Sequence, residues 1–204
     1  MLAIDDHFNP SIDFGTFTDI RDSNVYKTVQ IGDQTWMAEN LRYLPSLNGF
    51  ANNDVHPRYY VYGYNSDQVS DAKNTYNYQF FGALYNWSAA LTACPTGWHL
   101  PTIDEWDILI DYVGDSDDAG QKLMAISGWD SNHNAIDEYG FGALPGGDFI
   151  VTGFSDVSDC GYWWTASKYD MFYAHFIYIH DDSSAVSWTK DLKNHGHSVR
   201  CVKD

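Results

Sequence analysis

Cys94-Pro-Thr-Gly-Trp-His-Leu-Pro-Thr-Ile-Asp-Glu-Trp-Asp-Ile-Leu-Ile-Asp-Tyr-Val-Gly114 carries the signals that decide the fold class. Pro95-Thr-Gly97 ends a preceding helix, and Trp98-His-Leu100 reads as a short strand. After Pro101, Thr102 caps a second helix, with Glu105 three residues on completing a capping box. Trp106, Leu109, Ile110 and Val113 form one apolar stripe of that helix, and Gly114 stops it. Upstream, Leu84, Trp87 and Leu91 fall at i, i+3 and i+7, so Gly82 to Ala93 is expected to be a helix. Downstream, Asp115-Ser-Asp-Asp118 opens a short helical segment from Ala119 to Ile126.

Strands lie on both sides of this helical centre. Val25-Tyr-Lys-Thr-Val-Gln-Ile31 alternates as a strand, Gly32-Asp33 makes a hairpin turn, and Gln34 to Asn40 returns. Phe149-Ile-Val151 is a further strand. Tyr173 to His180, rich in aromatic and branched residues, is another. Its faces are Tyr173, His175, Ile177, Ile179 and Ala174, Phe176, Tyr178, His180, and neither is cleanly polar. A two-sided core strand and a binding surface are equally compatible with that pattern. Residues 44–80 and 128–159 read as long irregular loops, the first too rich in tyrosine to be simply disordered. The whole is an α+β domain over residues 16–204 without internal repeat, preceded by a loose leader over residues 1–15.

Composition narrows the function classes. Twenty-eight acidic residues against eleven basic ones leave a formal net charge of −17. That argues against binding to phosphate backbones or anionic membrane surfaces, which need clustered Lys and Arg. No apolar run is long enough to span a bilayer, and the first ten residues lack the basic and apolar regions of a signal peptide. Nucleic acid and membrane insertion are therefore not expected.

The three cysteines, Cys94, Cys160 and Cys201, show no zinc spacing. A pair plus a spare thiol is the simplest reading. Cys94 and Cys201 sit beside strand-like apolar residues and are the expected pair. Trp36, Trp98, Trp106, Trp163 and Trp164 read as core, and Trp188 as the exposed tryptophan.

Five ordered motifs resemble one family. They are Trp36-Met-Ala-Glu-Asn-Leu41, Cys94 to Thr102 with Glu105-Trp106, Glu138-Tyr-Gly-Phe141 with Leu144-Pro-Gly-Gly147, Gly161-Tyr-Trp-Trp-Thr165, and Ser198-Val-Arg-Cys-Val-Lys-Asp204. Together they are similar to the Fibrobacter succinogenes major paralogous domain, from about residue 16 to the C-terminus. The resemblance implies a C-type-lectin-like fold, with two helices on small antiparallel sheets, long irregular loops and termini close together. It also agrees with a Cys94–Cys201 bridge. It implies a bacterial surface or secreted setting. It extends to the variable proteins of diversity-generating retroelements, phage receptor-binding proteins among them. In those, a fixed scaffold ends in a segment diversified at adenine-templated codons. His197 stands where the family usually has Phe.

The resemblance directs attention to residues 169–197. Exposed apolar and aromatic groups mixed with Asp, His and Ser are the residue types of recognition surfaces. The expected ligand-binding residues are Asp170, Phe172, Tyr173, His175, Ile177, His180, Asp181, Ser187, Trp188, Asp191, Leu192, His195 and His197. The expected partner is a protein or glycan on a cell surface, bound by an adhesion module of a bacterial surface or phage virion, within a larger assembly that leaves room for an oligomer. A structural surface domain with no ligand of its own is the alternative.

No catalytic residue is expected. The fold also resembles the formylglycine-generating enzyme, which needs a closely spaced reactive cysteine pair, and no such pair occurs here. No nucleophile elbow supports a Ser-His-Asp arrangement. No cofactor or metal is expected. Asp115, Asp117, Asp118, Asp181 and Asp182 offer hard ligands for calcium, but EF-hand spacing and the Glu-Pro-Asn tripeptide are absent, and they read as solvated loops.

Overall fold

A computed structural model describes residues 7–49, 51, 53–131 and 135–204. The described chain is α+β and mostly sheet. In order it forms β1 (Gly15–Thr18), β2 (Val25–Ile31), β3 (Gln34–Met37), β4 (Tyr59–Tyr60), α1 (Val69–Lys73), α2 (Tyr76–Phe81), β5 (Leu84–Tyr85) and α3 (Trp87–Ala93). There follow β6 (Trp98–His99), α4 (Ile103–Val113), α5 (Ala119–Leu123), β7 (Gly146–Ile150), β8 (Gly153–Val157), β9 (Cys160–Lys168), β10 (Tyr173–His180), β11 (Ser187–Leu192) and β12 (Val202–Lys203).

One sheet has the order β1-β2-β3-β12-β6, so the last strand pairs with the first hairpin. That hairpin turns at Gly32, whose φ of 60° meets the positive φ that a type II′ loop requires at its first position. The other sheet has the order β11-β10-β9-β7-β8, with β4-β5 as a small separate ribbon.

The second sheet is covered on both faces. On one, α4 presents Trp106, Leu109, Ile110 and Val113 to Trp163, Ile177 and Ile179, closing a core with Val29, Trp36 and Val202 of the first sheet. On the other, Ala89, Ala90 and Ala93 of α3 meet Trp164, Phe176, Val199 and Cys201. Strands sandwiched in this way lose the polar face that alternation normally exposes, which explains the mixed pattern of residues 173–180. Gly161 permits the central packing, because a Cβ there would lie 2.2 Å from the Trp163 ring.

α4 begins as its cap signals require. The Thr102 hydroxyl accepts from Glu105 N (3.2 Å), and the Glu105 carboxylate accepts from Thr102 N (2.8 Å). His99 adds a second clamp, with Nδ1 2.7 Å from Asp204 and Nε2 2.7 Å from Glu105. β6, α4 and the chain end are thereby joined through one imidazole.

Several expectations need correction. The helix expected from Gly82 starts only at Trp87, capped by Asn86 accepting from Ala89 N (3.0 Å). Leu84 belongs to β5, and Leu91 of the supposed stripe is exposed. Residues 44–80 contain the short helices α1 and α2, and residues 128–159 contain the hairpin β7–β8. The loose leader gives way over residues 7–14. His7 and Phe8 are buried, Ile12 and Phe14 pack on the α4 core, and Asn9 N donates to Asp137 Oδ2 (3.2 Å). Residues 1–6 lie outside the described residues.

Candidate recognition face

A fixed frame holds the C-terminal strands. Buried Arg200 donates through Nη2 to Asn40 Oδ1 (2.9 Å) and Gly142 O (3.0 Å), and through Nη1 to Met37 O (3.1 Å) and Phe141 O. Trp163 Nε1 donates to the same Asn40 Oδ1 (2.8 Å). One guanidinium thus joins β3, the Phe141–Gly142 turn and the final segment, and the Trp163 indole adds β9. Burial pulls the Arg200 guanidinium down to about 9, against the opposing fields of Glu39 and Asp137. Cys94, at the end of α3, is bridged to Cys201 (Cα–Cα 5.9 Å), so the final segment is also tied covalently.

Beyond this frame the start of β10 and the edge strand β11 are less covered, with Trp188, Thr189 and Lys190 exposed. Tyr173 pairs with Leu192, His175 with Lys190 and Ile177 with Trp188. His175 meets Tyr169 and Trp188 edge-on, with ring centroids 5.3 and 5.4 Å away. The Lys190 ammonium lies 3.6 Å from the Tyr169 ring centroid and 5.7 Å from that of Tyr173. Tyr169 is 51% exposed, Met171 71%, Phe172 53% and Trp188 53%. The loop carrying Phe172 is held by Asp170, whose Oδ1 accepts from Phe172 N (2.7 Å) and Tyr173 N (2.8 Å). These backbone donors outweigh slight desolvation and lower the Asp170 carboxyl. Lys193 closes the loop from behind, donating to Asp170 O and lying over Trp87.

Residues 29–203 match the Fibrobacter succinogenes major domain. The chain belongs to that family. No curated protein and no solved structure shows a significant match to the chain.

In this member of the Fibrobacter succinogenes major domain family, the thirteen expected ligand-binding residues do not form one patch. Tyr173, His175 and Trp188 come together, with Phe172 and Asp170 on the adjoining loop. Ile177 is corrected to core, since α4 covers it beside Trp163. His197 is also buried, stacked on Phe176 (4.8 Å) and packed against Trp164 (4.2 Å). It fills an aromatic position against β9 and β10, beside Tyr162, Trp164 and Phe176.

Asp191, His195 and His197 form a second group on the opposite face of β11. Asp191 Oδ2 lies 2.8 Å from His195 Nδ1 and 3.1 Å from His197 Nε2. Burial opposes ionisation of Asp191, but the two imidazole bonds outweigh it and hold the carboxyl well below the usual range. Leu192 and Ser187 are half-buried at the two ends of β11.

His180, Asp181 and Asp182 make a third group at the far end of β10. His180 Nδ1 is 3.0 Å from Asp181 and 2.6 Å from Asp182. Asp181 is corrected to a buried anchor, accepting from Ser131 N (3.1 Å) through Oδ2. This is the one convergent group of potential metal ligands among the described residues, and its imidazole nitrogen already lies between the two carboxylates.

Lys190, Tyr169 and Met171 belong to the patch but are missing from the expected set. The two-residue spacing of Trp188 and Lys190 along one strand was the available signal. Cys160 is buried, and desolvation pushes its thiol up to about 11, away from the thiolate form that makes a nucleophile.

Proposed function

We propose that the chain is a non-enzymatic recognition module that binds a protein or glycan through the start of β10 and the edge strand β11. The observation that carries this reading is the exposed group Tyr169, Met171, Phe172 and Trp188 around His175 and Lys190, mounted on a frame whose own tryptophans are buried. Exposed aromatics grouped at this density favour contact with a partner, because their solvation is otherwise unfavourable.

The finer fold in this proposal is C-type-lectin-like. Its supports are α3 and α4 packed on sheets, β1 and β12 in one sheet, and the bridge from the α3 end to the final segment. The setting in this proposal is extracellular, on a bacterial surface or phage virion, within a larger assembly and with the terminal face open to diversification. A redox enzyme of the formylglycine-generating type is disfavoured by its need for two reactive thiols: Cys94 and Cys201 are joined and Cys160 is buried. No described helix is long and apolar enough to cross a membrane.

The test replaces Tyr173, His175 and Trp188 by Ser together and screens both proteins on arrays of glycans and bacterial surface proteins. The expected result is a ligand of the parent whose binding drops at least about 30-fold in the variant, since aromatic anchors carry roughly 2 kcal/mol or more each. An unchanged affinity refutes the site. No ligand for the parent on either array favours a structural surface domain instead.

A further inference from the structure

The outward side of α4 carries a pattern that the core does not explain. Trp106, Leu109, Ile110 and Val113 are buried, and the exposed positions are Asp104, Asp107, Ile108, Asp111 and Tyr112. Helical spacing sorts these into two adjoining lines, an acidic one of Asp104, Asp107 and Asp111 and an apolar one of Ile108 and Tyr112. Ile108 is 55% exposed and Tyr112 57%. Between this helix and the β2–β3 turn runs an open groove of about 400 Å³, lined by Ile31, Gly32, Asp33, Ile108, Asp111 and Tyr112. Gly32 lets the turn come close, because a Cβ there would lie 2.9 Å from Tyr112 Cδ2. The Tyr112 ring is thus seated against bare backbone, with Tyr139 edge-on at 6.0 Å.

The acidic line is uncompensated. Among the described residues, no Lys, Arg or His lies within ion-pair distance of Asp33, Asp104, Asp107 or Asp111. Lys122, on the next helix, is engaged by Asp118 (2.8 Å) and by Val113 O (2.8 Å). Asp107 faces Asp104 three residues back and Asp111 four residues on, and like-charge pairs at these spacings destabilise a helix. Asp111 also lies in the last turn, where the helix dipole favours a cation and α4 has no basic residue. Desolvation, and then the fields of Asp104 and Asp111, raise the Asp107 carboxyl. Solvated acids on a helix are ordinary. Their alignment beside two exposed apolar side chains over a groove is what points to a partner.

We propose that this surface docks a basic amphipathic helix of a partner protein, with apolar residues on Ile108 and Tyr112 and flanking Lys or Arg on Asp33, Asp107 and Asp111. Charge complementarity selects this occupant. Anionic lipid, nucleic acid and a second copy of this chain, itself at −17, would each bring like charge to the acidic line. An apolar segment without cations would cover the carboxylates unpaired. Asp104 to Tyr112 spans about 12 Å of helix, a little over two turns, which suits anchors at i, i+4 and i+7. The groove shares no residue with the β10–β11 face, and the proposal does not rest on that reading.

Fluorescence anisotropy on the whole chain tests it with a labelled, amidated peptide of about 15 residues, the length at which isolated helices begin to form. The peptide carries Leu at i, i+4, i+7 and i+11 and Lys on both flanks. One control peptide has the same composition in shuffled order, and another has Glu in place of Lys. The basic peptide is expected to bind with Kd of about 100 μM or tighter and the shuffled one about 10-fold more weakly, while the Glu peptide does not bind. D107N/D111N and I108S/Y112S should each weaken binding about 10-fold. D107N/D111N should also keep or raise Tm, since it relieves like-charge pairs. D67N/D71N, which removes an equal charge at α1, should leave binding unchanged. The proposal is overturned if the basic peptide does not bind at about 1 mM, or if D67N/D71N weakens binding as much as D107N/D111N. It is equally overturned if I108S/Y112S binds as well as the parent, or if the shuffled peptide matches the ordered one. Sedimentation of the chain alone covers the remaining occupant: a dimer that I108S/Y112S dissociates would overturn the proposal in favour of self-association, and no such dimer is expected.

Discussion

Trp164→Ala and Trp188→Ala separate frame from face by their cost in stability. Trp164 is completely buried, with its rings against Phe176 (6.2 Å) and His197 (4.2 Å) and Nε1 donating to Tyr85 O (2.7 Å). A buried aromatic of this kind removes about 150–250 Å² from water. At roughly 25 cal/mol per Å² that amounts to about 4–6 kcal/mol, an upper bound because the unfolded chain is itself partly compact. Aromatic truncations in cores cost about 3–5 kcal/mol, which we take as the expected value. The lost hydrogen bond adds little, since Tyr85 O still accepts from His197 N (3.0 Å). Trp188, half exposed on an edge strand, should cost under about 1 kcal/mol. The assay is urea denaturation of both variants beside the parent, with thermal scans as a second measure. Trp164→Ala should lower Tm by roughly 6–20 °C, at about 2–4 °C per kcal/mol for a chain of this size, or prevent folding. A folded Trp164→Ala with an unchanged midpoint would refute the frame, as would a Trp188→Ala loss as large as that of Trp164→Ala.

Three further outcomes are expected. Desolvation lowers the His99 pKa, but hydrogen bonds from its ring to Glu105 and Asp204 outweigh it and raise it overall. Its stabilising effect is complete below the unfolded imidazole value of about 6.5 and is lost as pH rises through the higher folded value. His99→Asn should therefore reduce Tm more at pH ~5.5 than at pH ~8.5, by a small margin because the ring is solvent-screened; an equal loss at both ends contradicts the clamp. Burial pushes Asp137 up to about 6, against hydrogen bonds from Gly142 N and Asn9 N and the field of Arg200. Its contribution is full below about 3.9 and lost as pH climbs through about 6, so Asp137→Asn should flatten the stability profile in that window, measured by denaturation at several pH values. Replacing Cys94 and Cys201 together by Ala opens a 107-residue cross-link and should cost about 4–5 kcal/mol in urea denaturation, whereas a loss below about 1 kcal/mol would exclude the entropic account.

The readable parts of this fold are those in which local chemistry and tertiary packing agree. The capping box at Thr102, the stripe from Trp106 to Val113, the Gly32 turn and the alternation of residues 25–31 each depend on neighbours within a few residues. The family motifs were legible for another reason. Asn40 and Trp163 meet at the buried Arg200 guanidinium, which lies over the Phe141 ring, and changing Asn40 or Arg200 leaves a buried polar group without its partner.

What the tertiary structure decided is which apolar residues of 169–197 face water. Ile177 and Tyr173 lie on the same side of β10, yet α4 covers one and stops short of the other. His197 reads as a polar surface residue until the aromatic slot between Trp164 and Phe176 is seen. Lys190 becomes part of the face only because β11 pairs with β10 in the register that sets it beside His175 and under Tyr169. Alternation along a strand specifies which side chains share a side. It carries no information about where the covering helix ends, because that boundary is set by elements far away in the chain.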